Sequence, residues 1–189
     1  MPLTSNLAPY DDQWPLMYAQ AAEWLVALFE SVLIDLHHVG STAVVGLTAK
    51  PEIDILAIVS DVSGVDCWAT RLAAREFRRG GDLSAGHLFF KRDENGIRTR
   101  KLHICVDGHP KAIQMLRFRD HLRRCAADRD EYASLKLQLE AENTRGIGEY
   151  LERKMPFIER ILLLHPVRSA QEGHPSPNSP LGVVRVRPA

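Results

Sequence analysis

Glu52 and Asp54 stand two residues apart in the segment 51–60, PEIDILAIVS, and side chains two apart on a strand project from the same face. Two carboxylates side by side are hard oxygen ligands of the kind Mg²⁺ or Mn²⁺ takes when substrate phosphates complete its shell. Their mutual repulsion in a partly buried site, on the order of several kcal/mol at short range, is relieved by such a cation. Gly40 and Ser41 precede this strand. A Gly-Ser turn brings backbone N–H groups and a hydroxyl close to phosphate oxygens, because glycine permits close approach. Gly40, Ser41 and Thr42 are therefore read as a phosphate-binding turn, and Glu52 and Asp54 as metal ligands and catalytic carboxylates. Singly, an acid-x-acid pair or a Gly-Ser turn is commonplace; their order along the chain carries the information.

The elements that must position these groups are legible from periodicity. Apolar residues Met17, Ala21, Trp24, Leu25, Leu28 and Phe29 recur at helical spacing, so a helix is expected over Asp12–Glu30, with Asp11 or Asp12 as cap and Pro15 in its first turn. The period then shortens. Val32–Val39 reads as a strand, Gly40–Ala49 as a turn with one short helical stretch, and Pro51–Ser60 as a second strand that becomes wholly apolar from Leu56. A helix over Val65–Phe77 is expected to end at Gly80 and Gly81. His87–Arg92 and Arg98–Val106 flank Asp93-Glu94-Asn95-Gly96, whose Asn-Gly pair signals a hairpin. Three helices follow, near Lys111–Ala126, Asp128–Glu142 and Gly146–Leu164, with Pro156 expected to kink or restart the last. The sum is an α+β fold: a mixed β-sheet with flanking helices and a C-terminal helical segment. It forms one domain over residues 1–165, followed by a Pro-, Ser- and Gly-rich tail, Pro166–Ala189, read as disordered.

Lys plus Arg equals Asp plus Glu at 24 each in 189 residues. That balance argues against a chain that coats nucleic acid, which carries a basic excess. Cys67, Cys105 and Cys125 are scattered and odd in number, which argues against a disulfide framework and for a reducing compartment. No basic stretch followed by an apolar run opens the chain, and no apolar run is long enough to span a bilayer. A cytoplasmic protein without membrane association is the expectation.

The segment His38-Val39-Gly40-Ser41-Thr42-Ala43-Val44-Val45-Gly46-Leu47-Thr48-Ala49-Lys50-Pro51-Glu52-Ile53-Asp54-Ile55 closely resembles the GrpB (UPF0157-type) family, whose signature runs H-I-G-S-T-(A/S)-V-P-G-L-x-x-K-P-x-I-D-I. Leu102-His103-Ile104 resembles the family's H-L-H-V strand, and Leu116–Arg123 its L-x-F-R-D-Y-L-R helix. Tyr132, Leu135-Lys136, Tyr150, Lys154 and Phe157-Ile158 look like its closing helices. The resemblance covers Tyr10–Leu164 and implies the nucleotidyltransferase-like fold. Three departures stand out. Val45 replaces a proline, Lys101 replaces the first histidine of H-L-H, and Glu52 replaces an apolar residue. In the wider superfamily a third carboxylate lies on a later strand. None is evident here; His103 occupies that strand and Asp107 lies beyond it.

Among the remaining candidates, His38 matches the family and is a candidate for ordering the turn, whereas His37, facing the other way, is expected at the surface. His103 is a candidate for metal or proton transfer near its ordinary pKa of about 6.5. Lys50, Lys136 and Lys154 are candidate phosphate contacts, Lys154 because it interrupts the apolar stripe Ile147, Leu151, Ile158. Three functions stay open. One is metal-dependent nucleotidyl transfer from a nucleoside triphosphate. Another is non-catalytic binding of a nucleotide or other phosphorylated small molecule, and the third is a structural or interaction domain.

Overall fold

The computed structural model describes residues 6–81 and 83–164; the tail expected at Pro166–Ala189 lies outside them. Five strands, β1 (Leu33–Val39), β2 (Ile53–Val59), β3 (Phe77–Arg79), β4 (His87–Glu94) and β5 (Ile97–Val106), form one sheet in the order β1-β2-β5-β4-β3. β2 and β5 pair in parallel and the other neighbours antiparallel, so the sheet is mixed. The helices are α1 (Gln13–Phe29), α2 (Val65–Ala73), α3 (Pro110–Arg124), α4 (Ala126–Ala141) and α5 (Ile147–Leu163).

Alternation along the strands divides the sheet into two faces. Ile53, Ile55, Ala57 and Val59 of β2, Leu102 and Ile104 of β5, and Leu88 and Phe90 of β4 pack with Trp14, Tyr18, Leu25 and Leu28 of α1 and Trp68 and Leu72 of α2. Each large apolar side chain so buried contributes about 1.5–3 kcal/mol. This is the main core. The opposite face carries a smaller apolar set, Val39, Leu56 and Cys105 against Ala112 of α3. Glu52, Asp54, Lys101 and His103 share that face by the same alternation. The α3–α5 layer has a core of its own, in which Leu122, Tyr132, Phe157 and Ile161 pack with Val44 and Leu47 of the loop between β1 and β2. The loop that follows Gly40 is thereby clamped against the C-terminal helices.

The α+β fold, the helix over 13–29 and the hairpin agree with the sequence reading. Asp12 is the N-cap of the first helix, and the carboxylate of Asp11 before it accepts from Gln13 N–H at 2.8 Å. Asn95 and Gly96 both take positive φ, 52° and 79°, as a two-residue hairpin of twisted strands requires. Three expectations are corrected. The helix over 65–77 stops at Ala73; Glu76 turns the chain at a φ of 64°, and buried Phe77 opens the edge strand β3 against β4. Pro156 does not restart the last helix, which runs unbroken through it. Glu152, whose carbonyl loses its i+4 donor there, is exposed, so water can take the donor's place. His37 is buried, its Nε2 3.2 Å from Asp35, because a carboxylate on its own strand meets that nitrogen. Among the described residues no helix is long and apolar enough to cross a membrane.

Candidate functional site

β1 ends at Val39, and Gly40 turns the chain with a φ of 73°. A Cβ at Gly40 would collide with the Asp54 carboxylate, so only glycine lets this turn lie against β2. Residues Ser41–Ala43 then form one turn of 3-10 helix. Thr42 is buried and serves the structure: its hydroxyl donates to the Glu52 carbonyl at 3.1 Å and lies 3.1 Å from His38 Nε2. With the hydroxyl proton committed to Glu52, Thr42 must accept from His38 Nε2–H, which fixes a neutral tautomer. Burial, with Arg123 and Arg119 nearby, pushes His38 down to about 3. Its ring stacks on Tyr18 at 4.9 Å, and its carbonyl accepts from Arg119 at 2.9 Å. His38 thus orders the turn, and Arg119 ties α3 to it.

The turn and β2 form one wall of a cleft closed by β5, α4 and α5. Ser41, Thr42, Lys50, Glu52, Asp54, Lys101, Lys136, Tyr150 and Lys154 line it, with Leu7, Ile147 and Leu151 adding apolar surface. Its volume is about 90 Å³, well below the roughly 300 Å³ at which pockets for whole drug-sized ligands begin. A phosphoryl group fits such a space. Ser41 is hydrogen-bonded to the Tyr132 hydroxyl.

Of the residues expected from the sequence, Ser41, Thr42, Lys50, Glu52, Asp54, Lys136 and Lys154 meet in this cleft, with Gly40 behind Asp54. His103 is not among the lining residues. It lies one strand repeat from Lys101, its Nδ1 2.9 Å from His87 Nε2. Burial and the neighbouring His87 push it down to about 3, which keeps it neutral. Arg98 and Arg100 are held by Asp93 and Glu94, and Asp107 turns its carboxylate to Gly108 N–H at 2.9 Å.

Lys101 is the residue whose role sequence reasoning missed. In the parallel register of β2 and β5 it pairs with Asp54. Its ammonium forms an ion pair with Glu52 and lies 3.8 Å from Asp54. Burial by itself would lower the Lys101 pKa, but the charges of Asp54 and Glu52 outweigh it and hold the amine above its ordinary value. Burial raises the Asp54 carboxyl, against the pull of Lys101. The β5 position beside the two carboxylates is therefore held by a cation and not by a third carboxylate. A protonated amine has no lone pair to ligate. The Mg²⁺ or Mn²⁺ expected between Glu52 and Asp54 would have to displace this ammonium, which pairs with Glu52 and lies beside Asp54, and these residues as they stand do not fit a resident divalent ion. The alternation Lys101, His103, Cys105 was visible in the sequence; the pairing with Asp54 was not.

The remaining lysines have no carboxylate partner among the described residues. Lys50 and Lys154 lie over the Tyr150 ring, 5.2 and 5.1 Å from its centroid, and Lys136 lies 4.9 Å from that of Tyr132. Aromatic faces hold cations in place without neutralising them. Lys136 is buried and donates to the Thr48 carbonyl; Lys50 Nζ is buried with no hydrogen-bond partner. Burial lowers all three pKa values, Lys136 to about 7 and Lys154, with Lys101 nearby, to about 8. Four lysine amines face two carboxylates, and an anion in the cleft would hold the protons that burial disfavours.

The GrpB protein family matches residues 4–163. A UPF0157 protein of Halalkalibacterium halodurans is 33% identical over 160 residues, covering 83% of this chain and 80% of the relative. The UPF0157 protein YqkA of Bacillus subtilis is 32% identical over 151 residues, covering 79% of this chain but only 44% of that protein. Among solved structures, the conserved protein GrpB from Enterococcus faecalis is similar with a TM-score of 0.76 and 28% identity, over 82% of this chain and 94% of that one. The Cid1 poly(U) polymerase is similar with a TM-score of 0.53 and 13% identity, over 78% of this chain and 49% of that one, which shows a shared nucleotidyltransferase-like fold and no more. With the family's match running from before α1 to the end of α5, the chain belongs to the GrpB family.

Proposed function

We propose that the cleft binds the phosphoryl group of a small phosphorylated ligand, a nucleotide or phosphometabolite, through lysine ammonium groups and without a resident divalent metal. One observation carries this reading. Lys101 already pairs with Glu52 beside Asp54, and Lys50, Lys136 and Lys154 then converge on the same small space with no carboxylate of their own. Buried cations without partners are costly and persist where a ligand completes them. Ser41 Oγ at the Gly40 turn supplies a hydroxyl to the same anion, and Leu7, Ile147 and Leu151 offer apolar surface to the rest of the ligand.

Nucleotidyl transfer is the second reading. It is supported by the scaffold and by Gly40, which holds the phosphate-binding turn against Asp54. It requires that a nucleoside triphosphate bring its own metal and displace Lys101 from the two carboxylates.

The test is a thermal-shift series with inorganic phosphate, sugar phosphates and nucleoside mono- and triphosphates, each in chelator and in Mg²⁺ or Mn²⁺. Wild type, Lys154→Met and Asp54→Asn are compared. A ligand at a hundred times its Kd stabilises by about 2.7 kcal/mol. Stabilisation in chelator that is lost in Lys154→Met is the expected result. Stabilisation only with metal, lost in Asp54→Asn, would transfer the conclusion to nucleotidyl transfer. No response to any phosphorylated compound would overturn both readings.

A further inference from the structure

His87, Cys105 and His109 each offer a ligand atom, and these atoms all lie within 4.8 Å of one another. The three come from adjacent elements braced by backbone hydrogen bonds. His87 opens β4 directly opposite Cys105 of β5. Val106 N–H donates to the Gly86 carbonyl at 2.9 Å, and His109 N–H to the Val106 carbonyl at 3.1 Å. His87 and Cys105 are buried, while His109, the N-cap of α3, remains partly exposed. The cluster lies on the same sheet face as the lysine cleft but shares no lining residue with it.

We propose that His87, Cys105 and His109 bind a borderline transition-metal ion of the Zn²⁺ class. Two imidazoles and a thiolate are a donor set suited to Zn²⁺. Zn–N bonds of about 2.0–2.1 Å and Zn–S bonds of about 2.3 Å place tetrahedral donors about 3.5 Å apart. The cluster need contract by only about 1 Å to reach that spacing. Outer hydrogen bonds that orient metal-bound imidazoles are also in place. His87 Nε2 lies 2.9 Å from His103 Nδ1, which leaves Nδ1 of His87 as its available donor. His109 Nε2 lies 3.1 Å from Ser84 Oγ, and His109 Nδ1 accepts from Lys111 N–H at 3.1 Å. A neutral imidazole has one lone pair and one N–H, so the metal takes Nδ1 in place of the Lys111 N–H, and Nε2–H donates to Ser84 Oγ and keeps the ring in place. Binding forms a metal–sulfur bond and releases the Cys105 thiol proton to solvent. Three protein ligands leave a fourth position open to water or a small ligand, as in catalytic rather than closed structural zinc sites.

The other comparable cluster, His121, Cys125 and Asp128, is committed elsewhere. Asp128 is 2.7 Å from His121, accepts from Cys125 and pairs with Arg160 at 3.3 Å. It reads as a junction that fixes the start of α4.

The experiment uses the full chain, stripped with a chelator and titrated with Co²⁺ as a spectroscopic probe, then with Zn²⁺ in competition. One equivalent of Co²⁺ should give a thiolate-to-cobalt charge-transfer band that Zn²⁺ abolishes, and Zn²⁺ should raise Tm. The band should vanish in Cys105→Ala and in His109→Ser, the second of which keeps a hydroxyl cap for Lys111. Substituting the outer partner, His103→Phe, should weaken Zn²⁺ binding about 10- to 100-fold. Asp54→Asn should bind like wild type, which separates this site from the lysine cleft. No thiolate band in wild type, or a band that survives Cys105→Ala and so belongs to Cys67 or Cys125, would overturn the proposal.

Discussion

Replacing Lys136 by methionine should make the ligand-free protein more stable below pH 7. Lys136 is 2% exposed, and burial, with repulsion from Lys154, lowers its pKa from 10.5 to about 7. Each pKa unit is worth about 1.4 kcal/mol, so keeping the amine charged in this site costs on the order of 5 kcal/mol. The sign follows from proton counts. Between pH 7 and 10.5 the unfolded chain carries the Lys136 proton and the folded chain largely does not, so wild-type stability rises with pH across that window. The penalty is fully present below about 7 and gone by 10.5. Methionine fills a similar volume without charge, but it leaves the Thr48 carbonyl without its donor, a loss of about 1–3 kcal/mol. The net gain at pH 6 is therefore about 3 kcal/mol, or roughly 6–12 °C in Tm for a chain of this size. Above pH 10 the sign should reverse, because only the lost hydrogen bond remains. The assay is urea denaturation of both proteins at intervals from pH 6 to 10. A stability difference that does not change with pH, or a variant less stable than wild type at pH 6, would refute the account of Lys136 as a cation held at a cost. The same variant should bind phosphate more weakly, the exchange of stability for function expected of a ligand site.

Lys101→Met should destabilise the fold by about 3 kcal/mol at neutral pH, because it leaves Glu52 and Asp54 facing each other uncompensated. Mg²⁺ or Mn²⁺ should then raise the variant's Tm while leaving wild type unchanged; an unresponsive variant would contradict the place given to Lys101. Gly40→Ala should cost about 1–3 kcal/mol from its backbone conformation alone. It should also abolish ligand binding by displacing Asp54, and binding that persists would show the turn to be more pliant than argued. His38 is neutral and held near 3 when folded, so acidification from pH 6.5 loads the unfolded chain with a proton that the fold refuses. Stability should fall with acid, and His38→Phe should make that slope shallower by about 1.4 kcal/mol per pH unit in urea denaturation between pH 6 and 4; an unchanged slope would place the titration elsewhere.

The local features of the site were legible because they depend on neighbours in sequence. The period-two alternation of β2 put Glu52 and Asp54 on one face, and the Gly-Ser pair marked the turn. Helical spacing placed α1 and the C-terminal helices. Where a local signal was weak, tertiary pairing decided: Phe77 left the helix pattern for a buried position on edge strand β3, and His37 went inward beside Asp35. Prolines and glycines misled where solvent or a left-handed residue did the work expected of them, as at Pro156 and Glu76.

The electrostatic character of the site was decided only in three dimensions. Sequence alone supplied two carboxylates in search of a cation, and a divalent metal was the natural candidate. The parallel pairing of β2 with β5 sets Lys101 opposite Asp54 across a separation of 47 residues. Packing of α4 and α5 on the loop after Gly40 brings in Lys136 and Lys154. Strand register and helix docking follow from burial of apolar faces, and those forces take no account of the charges they bring together. The chain's own sequence therefore determined which groups could do chemistry and on which element each would sit. Only the tertiary structure determined that four lysine amines and two carboxylates share one cleft, and hence that its unmet need is for an anion.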